Sequence, residues 1–193
     1  MQIERTNEIP DVCVLKTDVY FDERGYFMET HRTSALAAFL GQPIEFVQGN
    51  VSSSLPWALR GMHYQMVNPQ GKLVRCLKGS AYDVAVDMRE GSRTYRKWVG
   101  VLLDEQNARA VWVPPGFAHG ILAMAQGCLL HYECTTYYDD ASARSLRWND
   151  PTIGVTWPFQ MNMTQPRLLS QRQRRPVSPE LYAVRRFRWR QDT

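Results

Sequence analysis

The sequence predicts an all-β protein, a sandwich or barrel of short strands. Eight segments are rich in β-branched and aromatic residues, and Gly, Pro, Asn or Asp punctuates most of them. Helical periodicity is confined to two short stretches. In chain order the strand segments are DVCVLKTDVY (11–20), IEFVQGNV (44–51), KLVRCL (72–77), AYDVAVDM (81–88), KWVGVLL (97–103), RAVWVP (109–114), GILAMA (120–125) and CLLHYECTTYY (128–138).

One predicted helix is SALAAFL, with Ser34 as its N-cap and Gly41 just past its end. The second is PELYAVRRF, with Pro179 in the first turn. The sharpest hairpin signal is KLVRCLKGSAYDVAVDM, turning near Lys78, Gly79 and Ser80. Alternation then puts Lys72, Val74 and Cys76 on one face, and a tight turn adds Asp83, Ala85 and Asp87 to it. If that face points inward, a lysine and two aspartates need partners or a function. If it points outward, they are an ordinary charged surface.

At 193 residues, with 44% hydrophobic and 22% charged residues, the chain suits a single globular domain with a sizeable core. We expect that domain over residues 1–165, followed by a basic C-terminal appendage over 166–193. The net charge of +4 resides in this appendage: residues 167–190 carry eight arginines against Glu180 alone. Such a tail can meet nucleic acid or anionic lipid, but a solvated or packed terminal segment is the plainer expectation. No apolar run of membrane-spanning length occurs, and the N-terminal stretch lacks a signal-peptide core. Cys13, Cys76, Cys128 and Cys134 sit in apolar runs without CxxC spacing, so they read as buried free thiols of a cytoplasmic protein.

The histidines are His31, His63, His119 and His131. His119 lies in VPPGFAHG, a Pro-x-Gly-x-x-His pattern found in metal-binding barrels. Its usual complement is a His-x-His cluster, and GMHYQ offers His63 alone, short of the three or four ligands a transition metal takes. No metal and no cofactor are expected. His63 by itself reads as either a structural histidine or a base. Arg24 (DERGYF) and Arg60 (LRGMHY) each stand beside a glycine. Either they grip phosphate through bidentate hydrogen bonds, or they form surface salt bridges beside turn glycines. No GxGxxG or Walker loop is present.

DERGYFMET, FVQGNVS, ALRGMHYQ, QGKLVRCLKGSAYDVAVDMREGS, KWVGVLLDEQN, WVPPGFAHGIL, the Tyr132 strand and LRWNDPTIGVTWP occur in an order that resembles the dTDP-4-dehydrorhamnose 3,5-epimerase family, over about residues 10–158. The resemblance implies a metal-independent, cupin-type jelly roll acting as a homodimer. It implies a dTDP-linked 4-keto-6-deoxyhexose as substrate, as in rhamnose-type deoxysugar biosynthesis. A ketone at C4 acidifies the C3 and C5 protons, so a base, an acid and an enolate stabiliser suffice. By position, His63 is then the base, Tyr132 the acid and Lys72 the enolate-stabilising cation. Asp83 and His119 are further polar residues of the pocket. Arg24 and Arg60 bind the diphosphate, and Phe27, Glu29, Gln48, Asn50 and Tyr138 line the nucleotide and sugar site. The chain departs from the family in one place: LLSQRQ carries Gln173 where the family has an aspartate paired with the base, and Glu180 is the nearest other acid. This leaves three alternatives beside the double epimerase: an enzyme inverting C3 or C5 only, a ketoisomerase, and a sugar-nucleotide-binding barrel without catalysis.

Overall fold

The computed structural model describes residues 1–159 and the backbone of residues 167–168. The strands are β1 (Gln2–Arg5), β2 (Cys13–Lys16), β3 (Tyr20–Asp22), β4 (Gly25–Phe27), β5 (Gln48–Ser54), β6 (Ala58–Gln65), β7 (Lys72–Asp87), β8 (Trp98–Asp104), β9 (Arg109–Val113), β10 (Phe117–Cys134), β11 (Ala143–Ser145) and β12 (Arg167–Leu168), with one helix, α1 (Thr33–Leu40).

Two long strands organise everything else. β7 and β10 pair antiparallel over their whole lengths, from Lys72 opposite Cys134 to Asp87 opposite Phe117. Their partners change midway. The first part of β7 pairs with β9, and the last part of β10 pairs with β5. The remaining halves pair with β8 and β6 respectively. The result is two sheets that share both long strands. One runs β1-β2-β9-β7-β10-β5. The other runs β8-β7-β10-β6-β11, with β12 also on β6. This is the cupin-like jelly roll that the family resemblance implies.

The predicted hairpin at Lys78 to Ser80 does not form: KLVRCL and AYDVAVDM are one continuous strand, as are GILAMA and CLLHYEC. A bend replaces the turn. Gly79 (φ 72) faces Gly127 (φ 74), and a Cβ on Gly79 would lie 2.2 Å from the Gly127 carbonyl oxygen. Positive φ and close approach together demand glycine here. The ladder skips from Ala81–Ala123 to Gly79–Cys128 at this point, a bulge that carries both strands from one sheet to the other. The bend also switches side-chain parity. Val74 and Cys76 share one inner core with Ala81 and Ala85, so the face carrying Lys72 and Asp83 points inward.

Three apolar layers result. The central one, between the sheets, includes Val74, Ala85, Val111, Ile121 and Leu130. Outside the sheet bearing β9, Leu15, Leu73 and Trp112 pack against Leu36 of α1. Outside the sheet bearing β6, Leu59, Met62 and Leu122 pack against Leu146, Ile153 and Trp157 of the following segment. Burying each such Leu or Ile stabilises the fold by about 1.5–3 kcal/mol. The helix starts two residues earlier than expected. Its N-cap is Arg32, without a side-chain cap, so Ser34 lies inside it, whereas Gly41 closes it in the left-handed conformation as predicted. The predicted helix at 179–187 lies outside the described residues. DVCVLKTDVY splits between β2 and the start of β3, and β1, β4, β6, β11 and β12 had no counterpart among the predicted strands.

Candidate active site

Between the sheets, at the end of the barrel away from the Gly79 bend, lies a cavity of about 340 Å³. His63 and Arg60 of β6 and His119 of β10 line it from one sheet, and Lys72 of β7, Tyr132 of β10 and Ser52 of β5 from the other. Val74, Ile121 and Leu130 supply apolar surface among them. The bend makes this grouping possible, because Tyr132 and His119 sit on one strand yet belong to different sheets.

Asp83 is 1% exposed and lies behind the wall. Its Oδ2 is 2.8 Å from His119 Nε2. Since a carboxylate only accepts, Nε2 carries the proton in this bond. Arg60 is held by its own neighbours: Nε donates to Ser54 Oγ at 2.7 Å and Nη2 to the Ser53 carbonyl at 2.8 Å. Lys72 has no hydrogen bond or ion pair among the described residues. Burial pushes its ammonium below the ordinary lysine range, with Cys134 and Asp83 acting the other way. Burial likewise raises the Tyr132 phenol, and Cys134 adds to this while Arg60 opposes it. A phenol held protonated is an acid in waiting. A cation without a hydrogen-bond partner among the described residues is available to an oxyanion.

The other expected site residues fall in two groups. Gln48 and Asn50 share the alternation of Ser52 on β5, and Asn50 stands directly opposite Tyr132. Gln48 donates to Asn50 Oδ1 at 3.0 Å and accepts from the Tyr138 backbone N–H at 2.9 Å. This ties Tyr138, itself exposed, to the flank of the cavity. Arg24, Phe27 and Glu29 do not line the cavity. Arg24 closes on Asp22 at 2.6 Å, Glu29 on Arg32 at 2.8 Å, and Phe27 lies exposed on β4. Ser52 was not among the residues singled out from the sequence. The alternation of polar residues at Gln48, Asn50, Ser52 and Ser54 was the signal that could have found it. Among the described residues, no three His, Cys, Asp or Glu side chains group closely enough to hold a metal ion. No helix among them is long and apolar enough to cross a membrane.

A jelly roll with a cation, an imidazole and a protonated phenol around one cavity defines a class of barrel suited to proton transfer on a carbonyl compound. The family model for dTDP-4-dehydrorhamnose 3,5-epimerase matches residues 6–178. The dTDP-4-dehydrorhamnose 3,5-epimerase of Salmonella typhimurium is 44% identical over 160 residues, 82% of this chain and 87% of the relative. That of Methanothermobacter thermautotrophicus is 46% identical over 148 residues, 77% of this chain and 80% of the relative. The crystal structure of dTDP-6-deoxy-D-glucose-3,5-epimerase from Legionella pneumophila Philadelphia 1, in complex with dTDP-4-keto-L-rhamnose, superimposes with a TM-score of 0.84 at 39% identity, covering 90% of this chain and 89% of that one. The chain belongs to the dTDP-4-dehydrorhamnose 3,5-epimerase family.

Proposed function

We propose that this isomerase epimerises a dTDP-linked 4-keto-6-deoxyhexose at C3, C5 or both, by moving protons through an enolate held in the cavity. The observation that carries this reading is the placement of His63 and Tyr132 on opposing sheets across one cavity, with Lys72 beside Tyr132. His63 removes a proton from the carbon next to the ketone, and the C–H electron pair passes into the enolate. The Lys72 ammonium holds the developing oxyanion. Tyr132 returns a proton from the opposite face, which inverts the centre. Asp83 orients His119 at the same wall, and Arg60 meets the diphosphate.

The deciding experiment is proton NMR of dTDP-4-keto-6-deoxyglucose with the enzyme in deuterated water. Loss of both the C3 and C5 proton signals supports double epimerisation. Loss of one supports a single-centre enzyme, a second reading favoured by Gln173 standing in place of the family's aspartate. A substrate that binds with no exchange overturns the proposed reaction.

We further propose that the enzyme works as a homodimer. Tyr20, Phe21, Tyr26 and Phe27 are more than half exposed on the β3–β4 hairpin, which also bears Arg24. An apolar hairpin of this kind suits a second copy of the chain, and docking there would bring Arg24, Phe27 and Glu29 to a neighbouring cavity. Sedimentation of Phe21→Ser/Phe27→Ser against the unaltered chain tests this; a monomer in the unaltered chain overturns the homodimer, and a dimer that persists in the variant overturns the hairpin as its surface. Four buried cysteines without a disulfide support the cytoplasm as compartment.

A further inference from the structure

The wall that carries Lys72 and Tyr132 holds a third side chain with no task in the proton transfers. Cys134 is 1% exposed. It stands directly opposite Lys72 across the β7–β10 ladder and opposite Gln48 across the β10–β5 ladder. Opposed residues on one face bring their Cβ atoms to about 4.5–5.5 Å, so the thiol and the Lys72 stem are neighbours. On the other side Asn50 Nδ2 donates to Cys134 Sγ at 3.7 Å, and Asn50 is held in turn by Gln48. The sulfur is thus wedged between the amide of Asn50 and the lysine.

The element at this position matters. A thiol is a weak acceptor. Burial also raises the Cys134 thiol, against the pull of Lys72, which favours its neutral form. It occupies the space beside the lysine without claiming the ammonium's donors. A carboxylate in its place would pair with the ammonium, and a hydroxyl would accept a stronger hydrogen bond from it.

We propose that Cys134 is a positioning residue for the reaction: it fills the wall between Lys72 and Asn50 and leaves the Lys72 donors free for the ketone oxygen of the substrate. This rests on Lys72 as the holder of that oxygen. The other titratable groups around Lys72 are Asp83 on its own strand, His119 and Tyr132 on β10, and Arg60 and His63 on β6. Asp83, the carboxylate of this set, is engaged by His119.

The test compares Cys134→Asp and Cys134→Ser in the full chain. Cys134→Asp should lower kcat about 100-fold, because the enolate loses its donor. KM should change little, and the alkaline limb of kcat should move to higher pH as the new carboxylate holds Lys72 charged. Cys134→Ser should lower kcat about tenfold, the effect of one hydrogen bond. Wild-type kcat and an unmoved limb in both variants overturn the proposal. If Cys134→Asp does not fold, the kcat of Cys134→Ser decides. A second readout is independent of turnover. The chain has four lysines, Lys16, Lys72, Lys78 and Lys97, so selectively labelled lysine gives an assignable NMR titration. In Cys134→Asp the Lys72 midpoint should rise by about one pH unit, and an unmoved midpoint overturns the contact. If that midpoint rises while the unaltered enzyme exchanges no substrate proton, the contact stands and the enolate reading fails.

Discussion

His119 Nε2 lies 2.8 Å from Asp83 Oδ2, and Asp83 Oδ1, equally buried, has no partner among the described residues. A buried carboxylate that spends one oxygen on an imidazole fixes that ring's tautomer and orientation. It also keeps negative charge behind the wall rather than in the cavity, where it would oppose an enolate.

Replacing this carboxylate should therefore cost rate rather than fold. Asp83→Asn keeps the shape but lets the amide donate as well as accept, so His119 loses its enforced tautomer. We expect kcat to fall about 100-fold with an unchanged thermal midpoint. Equal losses of stability and rate would assign the pair to structure alone.

Lys72 and Tyr132 make a prediction about pH. Burial lowers Lys72 below its ordinary 10.5 and raises Tyr132 above its ordinary 10.0. The enolate needs the charged ammonium, and the returning proton needs the neutral phenol. As pH rises through the lowered lysine value, the ammonium discharges and activity is lost. The alkaline limb of kcat accordingly lies below pH 10.5 and belongs to Lys72. In Lys72→Arg, which cannot discharge, the limb should move upward even as kcat falls. A limb that stays in place belongs to another group.

Tyr132→Phe separates the two proton transfers. The base remains, so deuterium exchange should persist within about tenfold of the wild-type rate, whereas epimerisation should fall about 1,000-fold. His63→Ala should abolish both while nucleotide binding is retained, as measured by calorimetry with dTDP. Exchange at full rate in His63→Ala removes His63 as the base.

The bend between the sheets can be tested by adding a methyl group. In Gly79→Ala the new carbon would sit 2.2 Å from the Gly127 carbonyl oxygen, at a φ of 72 that side chains avoid. We expect a loss of about 3 kcal/mol in urea unfolding, from strain at a left-handed position plus the clash. A loss under about 0.5 kcal/mol, the level of an ordinary surface substitution, would mean the bend does not depend on glycine.

The fold class was legible because β-branched runs broken by Gly and Pro have few other uses. The error at Lys78 to Ser80 has a physical cause. A hairpin turn and a strand bend both call for glycine at positive φ, and what separates them here is Gly127, distant in sequence. β6 escaped detection because its pattern is inverted. Leu59, Met62 and Tyr64 pack outward into a second core, while Arg60 and His63 face the cavity, and the ladder with β10 is irregular between them. Lys72, Asp83 and His119 could be suspected from the sequence, but spacing could not give their faces. That was decided by the parity switch at the bend. The exposure of Arg24, Phe27 and Glu29 could not be foreseen, because a motif does not say whether its residues face a cavity or solvent.

The sharing of β7 and β10 by both sheets bears on how the molecule comes to exist. Neither sheet can mature alone, since each needs half of the same two strands, and the ladder that joins them spans sequence separations from 30 to 62 residues, Asp87–Phe117 to Lys72–Cys134. Such non-local pairing is slow to form and arrives late. The cavity, built from both halves of that ladder, cannot precede it. Any nascent chain able to hold a sugar nucleotide has already closed its barrel, so ligand in the cell would select for completed molecules and deepen the stability of the whole fold, not of one corner of it.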